Sequence, residues 1–144
     1  MRILAVDPGG KRLGVAISDP NGKIANPYTV LNHVSRVIDA ASIAQIAKEN
    51  EVMIIIVGQS LDVDGKPTPQ GRSAGRLALA IRQQTSIQVI LWDETGSTQT
   101  ARAARIALGA NRRKRSGHLD DLAATVILQS FLDYRDLPGD GNPH

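Results

Sequence analysis

Three acidic positions stand where one kind of segment gives way to another. Asp7 closes the apolar run ILAVD and is followed by PGGKR. Glu94 lies in WDETGST, directly after the apolar run IQVILW, and the pair Asp120-Asp121 opens the segment LDDLAATVILQSFLDY. Each has an ordinary explanation. Asp7 suits a turn before Pro-Gly, Glu94 an exposed strand end, and Asp120 a helix start favoured by the macrodipole. Taken together they say more. Carboxylates gathered in one place repel one another unless a cation neutralises them. Mg2+ and Mn2+ take hard oxygen ligands, usually a few carboxylates with water and phosphate completing the shell. One or two such ions can activate a water against a phosphodiester and stabilise its leaving oxygen.

The neighbours of these acids fit that chemistry. Gly9 and Gly10 carry no side chain, so a bulky substrate's backbone can approach Asp7 closely, and Lys11 and Arg12 would meet its phosphates. Arg112, Arg113, Lys114 and Arg115 form a basic run just before Asp120. It reads as a loop that is mobile until phosphates order it. One Trp, two Tyr and one Phe argue against a base-stacking platform, so phosphate contacts should dominate. His33, His118 and His144 share no ligand spacing, and Ser18, Ser60 and Ser97 lack the base and orienter of a nucleophile.

The acids must be positioned by the elements around them. Ile3–Asp7 and Leu13–Ser18 read as an antiparallel hairpin, and Lys23 to Val30 as a third strand after the turn Asp19-Pro20-Asn21-Gly22. Helical spacing follows from Ser35 to Lys48, then MIIIVG as a buried parallel strand. Gln59 to Gly71 is a polar loop, long for a compact domain and so a candidate for mobility or function. Ala74, Leu77, Ala78 and Ile81 mark a second helix, and Ile87–Trp92 a further strand. Ser97 or Thr98 can cap a helix running to Leu108, and Leu119 to Tyr134 reads as a final helix. The order predicts an α/β fold, a mixed sheet of three antiparallel strands followed by parallel ones, with helices on both faces. Ligands of such sheets sit beyond the carboxyl ends of the strands, where Asp7, Gly58-Gln59-Ser60 and Asp93-Glu94 fall.

Composition sets the outer bounds. The 144 residues suit one domain over residues 1–135, with 136–144 a flexible tail. With no cysteine, disulfides and thiolate metal sites are excluded. No segment approaches the ~18 apolar residues of a membrane span, so a cytoplasmic protein is expected. The net charge of +3 is mild but unevenly spread.

VDPGGKRLGVAISD, VGQSLDVDG, WDETGST and SGHLDDLAATVILQSFLDY occur in the order and spacing of the YqgF family, also called RuvX, and the chain resembles that family from Met1 to about Tyr134. The resemblance implies an RNase H-like fold and a metal-dependent nuclease that trims the 5′ end of precursor 16S rRNA, with Holliday junctions and other branched DNA as an alternative substrate. It implies nucleic acid as the partner and Mg2+ or Mn2+ as the cofactor. The expected assembly is a monomer or weak homodimer. Carried over by position, the family's catalytic and metal-binding acids fall on Asp7, Glu94 and Asp120, and the third could slip to Asp121. Neighbours on a helix point about 100° apart, so only one of that pair can face a site. Three positions depart from the family pattern. Thr95-Gly96 replaces an Arg and a large apolar residue, which removes a bidentate phosphate donor. Gly10 stands where a Thr is usual, and Gln59-Ser60 where an apolar residue and Pro are usual. These changes leave room for an altered substrate preference, or for a nucleic-acid-binding protein of weak or no catalysis.

Overall fold

The computed structural model describes residues 1–93 and 120–136. Five strands and three helices follow one another: β1 (Arg2–Pro8), β2 (Arg12–Ser18), β3 (Ala25–Asn32), α1 (Arg36–Glu49), β4 (Val52–Gln59), α2 (Pro69–Arg82), β5 (Gln88–Asp93) and α3 (Asp120–Arg135). The sheet order is β3-β2-β1-β4-β5. β2 pairs antiparallel with both β1 and β3, while β1–β4 and β4–β5 are parallel. The mixed sheet expected from the sequence is therefore present. The expected helix between Ser97 and Leu108, the basic run Arg112–Arg115 and the tail beyond Asp136 lie outside the described residues, as does Glu94.

Side-chain alternation along the strands divides the interior in two. Leu4, Val6, Leu13, Val15, Ile55 and Val57 pack on one face against Ala40 and Ile43 of α1 and Leu77, Ala78 and Ile81 of α2. Ile3, Ala5, Ala16 and Ile56 pack on the other against Ala124, Ile127, Leu128, Phe131 and Leu132 of α3. Consecutive residues of one strand thus serve opposite cores, as the period of two requires. The continuous apolar runs of β1 and β4 follow, because a strand covered on both sides needs no polar face.

Local chemistry moves two boundaries. β3 starts two residues later than expected, because the turn before it extends to Ile24. The Asp19 N–H donates to the Ile24 carbonyl at 3.0 Å. One Asp19 carboxylate oxygen accepts from the N–H groups of Lys23 (2.8 Å) and Ile24 (3.0 Å). Gly22 takes the left-handed conformation there (φ 69°). α2 starts at Pro69, five residues before its first apolar marker, because the Thr68 hydroxyl accepts from Gly71 N and Pro69 occupies the first turn. The long polar loop is thereby shortened to 60–68. It is bridged internally between Leu61 and Pro67 and between the Ser60 and Thr68 hydroxyls at 2.6 Å. No helix among the described residues is long and apolar enough to cross a membrane.

Candidate active site

Asp7 is the sixth residue of β1, at the end of the strand that lies central in the sheet. Ile3 and Ala5 face α3, so alternation puts Asp7 on that same face, where it is half-buried. Its cross-strand partner in β2 is Gly14. On the other side, one step beyond the Val6–Val57 pairing, stands Gly58 of β4. The positions level with Asp7 on both flanking strands are thus glycines, and glycine inside a strand marks a place where a ligand can come close. Gly58 in turn pairs with Trp92, and Gln59 with Asp93, the last described residue of β5. The carboxyl ends of β1, β4 and β5 therefore form one edge, as expected. Asp120 and Asp121 open α3, the helix that covers the face to which Asp7 belongs.

The turn after Asp7 is closed by a hydrogen bond from Gly9 N to the Arg12 carbonyl at 3.0 Å. A Cβ on Gly9 would lie 2.6 Å from that carbonyl oxygen, so the turn requires glycine there. Gly10 differs: a Cβ would meet nothing within 4 Å, so the space that a Thr would occupy is open. Lys11 and Arg12 are exposed. Leu13 belongs to the core under α1 and α2, so alternation puts Arg12 on the α3 face with Asp7.

At the end of β4, Gln59-Ser60 has a structural account. The Gln59 amide donates to the Gly71 carbonyl at 3.0 Å, and a Cβ on Gly71 would fall 2.1 Å from the Ser60 carbonyl oxygen. The pair ties the strand end to the first turn of α2. Thr95, Gly96 and the basic run are outside the described residues.

A cavity of about 300 Å3 opens beside the same turn, on the α1 and α2 side. Pro8, Gly9 and Gly10 form one wall, Leu13 and Leu77 lie within it, and His33, Arg36 and Ser73 contribute polar groups. His33 Nδ1 lies 2.5 Å from Asp39 Oδ2. The other Asp39 oxygen accepts from Val34 N at 3.0 Å, and Asp39 is only 4% exposed. The His33 N–H also donates to the Lys11 carbonyl at 2.9 Å, which locks the end of β3 to the turn. Ligand spacing alone passed over His33. Its partner lies six residues on, across the junction between a strand and a helix, and no short motif encodes that pairing.

A family model described as RuvX, Holliday junction resolvase, matches residues 1–134. The chain belongs to the RuvX family. A relative from Thermoanaerobacter pseudethanolicus, named "Putative pre-16S rRNA nuclease", is 41% identical over 134 residues, covering 92% of this chain and 96% of that one. One of the same name from Myxococcus xanthus is 35% identical over 133 residues, covering 92% and 88%. Among solved structures, T. thermophilus RuvC in complex with a Holliday junction substrate superposes with a TM-score of 0.63 at 14% identity, covering 94% of this chain and 95% of that one. The fowlpox virus Holliday junction resolvase gives 0.55 at 17% identity, covering 94% and 99%. At such identities the likeness is one of fold, and that fold is RNase H-like.

Proposed function

We propose that this RuvX-family nuclease hydrolyses phosphodiester bonds in structured RNA, with the 5′ end of precursor 16S rRNA as its substrate, and that Asp7, Glu94 and Asp120 hold a divalent cation for the reaction. The observation that carries the reading is the setting of Asp7: a half-buried carboxylate at the end of a central strand, on the face of α3, with Gly14 and Gly58 on either side. A relative named for that RNA is 41% identical over nearly the whole chain.

The residues fit the ion. Their donors are carboxylate oxygens without nitrogen or sulfur, a set suited to Mg2+ or Mn2+. When bound, such an ion supplies a water of lowered pKa and stabilises charge on the leaving oxygen. The remaining work belongs to the chain. Gly9 and Gly10 admit the nucleic-acid backbone, while Lys11 and Arg12 neutralise phosphates as they pass Asp7. Arg112, Arg113, Lys114 and Arg115 do the same from the segment before α3. Asp120 sits at the start of the helix packed on the Asp7 face, with Asp121 as its alternate.

Branched DNA is the second reading, favoured by the likeness of fold to RuvC and by the description of the family. A cleavage assay decides between them. An end-labelled RNA spanning the precursor–mature junction of 16S rRNA and a synthetic four-way DNA junction are incubated with the protein in Mg2+, Mn2+ or EDTA. The RNA is cut in either metal and survives in EDTA. Asp7→Asn lowers the rate by at least about 100-fold, in line with the loss of a group essential to charge stabilisation, while the melting temperature is unchanged. A resolved junction beside intact RNA would replace the first reading with the second. Undiminished cleavage by Asp7→Asn would remove that residue from the chemistry. Sedimentation of the protein with and without RNA tests whether the working form is a monomer or a weak homodimer.

A further inference from the structure

We infer that the cavity beside the Gly9-Gly10 turn is a phosphate-binding subsite for the substrate strand, on the opposite side of the sheet edge from Asp7, with the His33 ring as its oriented ligand. The inference rests on the nuclease reading of the Asp7 site, and it adds a contact that the acidic residues do not supply.

Orientation is the first ground. Both oxygens of Asp39 are engaged, one by His33 Nδ1 at 2.5 Å and one by Val34 N at 3.0 Å, and the carboxylate is buried. The Asp39 N–H donates to the Ser35 carbonyl at 2.8 Å within the first turn of α1. The carboxylate is thus fixed, and it fixes the ring. With Nδ1 committed to Asp39, Nε2 on the far side of the imidazole is the atom left to meet a ligand. The ring itself is about half exposed.

The composition of the cavity is the second ground. About 300 Å3 is the lower end of the range for small-molecule sites, and the walls combine apolar Pro8, Leu13 and Leu77 with polar His33, Ser35, Arg36 and Ser73; Asp39 also lines it, its two oxygens turned to His33 and Val34. Arg36 adds a guanidinium suited to a phosphate. One sugar–phosphate unit matches walls that set apolar side chains beside the Arg36 guanidinium and the His33 ring.

Continuity is the third. Pro8, Gly9 and Gly10 follow Asp7 directly, and alternation along β1 puts the Asp7 carboxylate and this cavity on opposite sides of the same edge. A polyanionic strand that has one phosphate at Asp7 and crosses the open space over Gly10 brings a later phosphate to His33.

The probe is the same labelled junction RNA. Binding is read by fluorescence anisotropy in the Asp7→Asn background, and cleavage in the otherwise unaltered chain. His33→Ala raises Kd about tenfold, equivalent to ~1.4 kcal/mol. It raises KM by a similar factor and leaves kcat within about twofold. Arg36→Ala acts in the same direction, and His33→Gln, which keeps an N–H donor, recovers part of the affinity. Shortening the RNA from one end removes the difference between His33→Ala and its parent, because the phosphate that reaches the cavity is gone. A Kd and KM unchanged by His33→Ala in a folded protein would overturn the inference, and so would a fall in kcat in step with melting temperature. If inorganic phosphate at millimolar concentration shifts the His33 imidazole NMR signals but the RNA Kd ignores His33, the site takes a free anion and the strand assignment is wrong. Failure of the unaltered protein to cut this RNA would count against the nuclease reading alone, since the Kd comparison still decides the subsite.

Discussion

Asp7, Asp39 and Asp19 are all carboxylates near strand ends, and their partners assign them different work. Asp39 spends both oxygens on His33 and Val34 inside the protein. It is a poor candidate for any ion and a good clamp for a ring. Asp7 is half-buried between two glycines at the carboxyl edge of the sheet, the place proposed above for the cation. Asp19 shapes a turn. Its carboxyl is held below its ordinary value by the N–H of Ile24 first and that of Lys23 second. The unfolded chain lacks those bonds and binds the proton more readily, so the stabilisation is complete above the ordinary Asp value of about 3.9 and fades as pH falls through the lowered folded one. Thermal melts of the protein and of Asp19→Asn should therefore differ by a constant amount from pH 7 down to about pH 4, and converge below it. A gap that widens on acidification would show that the carboxylate is not what the turn relies on.

At the scale of elements, α3 is tied to the start of β3, more than a hundred residues before it. Buried Gln129 accepts from Ala25 N at 2.9 Å and donates to the Lys23 carbonyl at 3.1 Å and to an Asp133 oxygen at 2.9 Å. Trp92 of β5 adds a bond from its indole N–H to the Ser130 hydroxyl at 2.9 Å and an edge-on contact with Phe131 at 5.2 Å. Gln129→Ala leaves the Ala25 N–H without its acceptor and should cost about 1–3 kcal/mol. The expected reading is a lower denaturant midpoint at unchanged slope. These bonds were not legible in the sequence, since Gln129 and Ala25 lie 104 residues apart. The elements they join were. β1 and β4 announced themselves by uninterrupted apolar runs, and α1 by its spacing after Ser35, which does cap it by accepting from Ile38 N. α2 was underestimated because its first turn, Pro69 to Ser73, has no large apolar residue. The Thr-Pro capping signal outweighs that lack.

For the whole molecule, charge is the property that reaches furthest. The net +3 is small, yet Lys11, Arg12, Arg112, Arg113, Lys114 and Arg115 account for six of the 17 basic residues in two short stretches beside the proposed acids. Replacing Arg112, Arg113, Lys114 and Arg115 by Ala should weaken RNA binding and make the slope of log affinity against log salt shallower by up to about 3, with the melting temperature nearly unchanged. An unaltered slope would leave those residues as ordinary surface. The fold class and the edge that carries Asp7 could be read from periodicity, because strands and helices leave different spacings in a sequence. The His33–Asp39 cavity could not. It arises where the end of β3, the start of α1 and the Gly9-Gly10 turn converge, and only the closed sheet makes them neighbours.

The placement of α3 sets a timetable for synthesis. Among the described residues, the five strands of the sheet are complete by Asp93, and Ile3, Ala5, Ala16 and Ile56 gain their helical cover from Ala124 to Leu132. At about 5–20 residues per second, the roughly 40 residues from the last strand to the end of α3 take about 2–8 s to make. Through that interval the core under α1 and α2 has all its described parts, while the face that carries Asp7 still lacks α3. Until α3 folds down, the face of the sheet to which Asp7 belongs stays open.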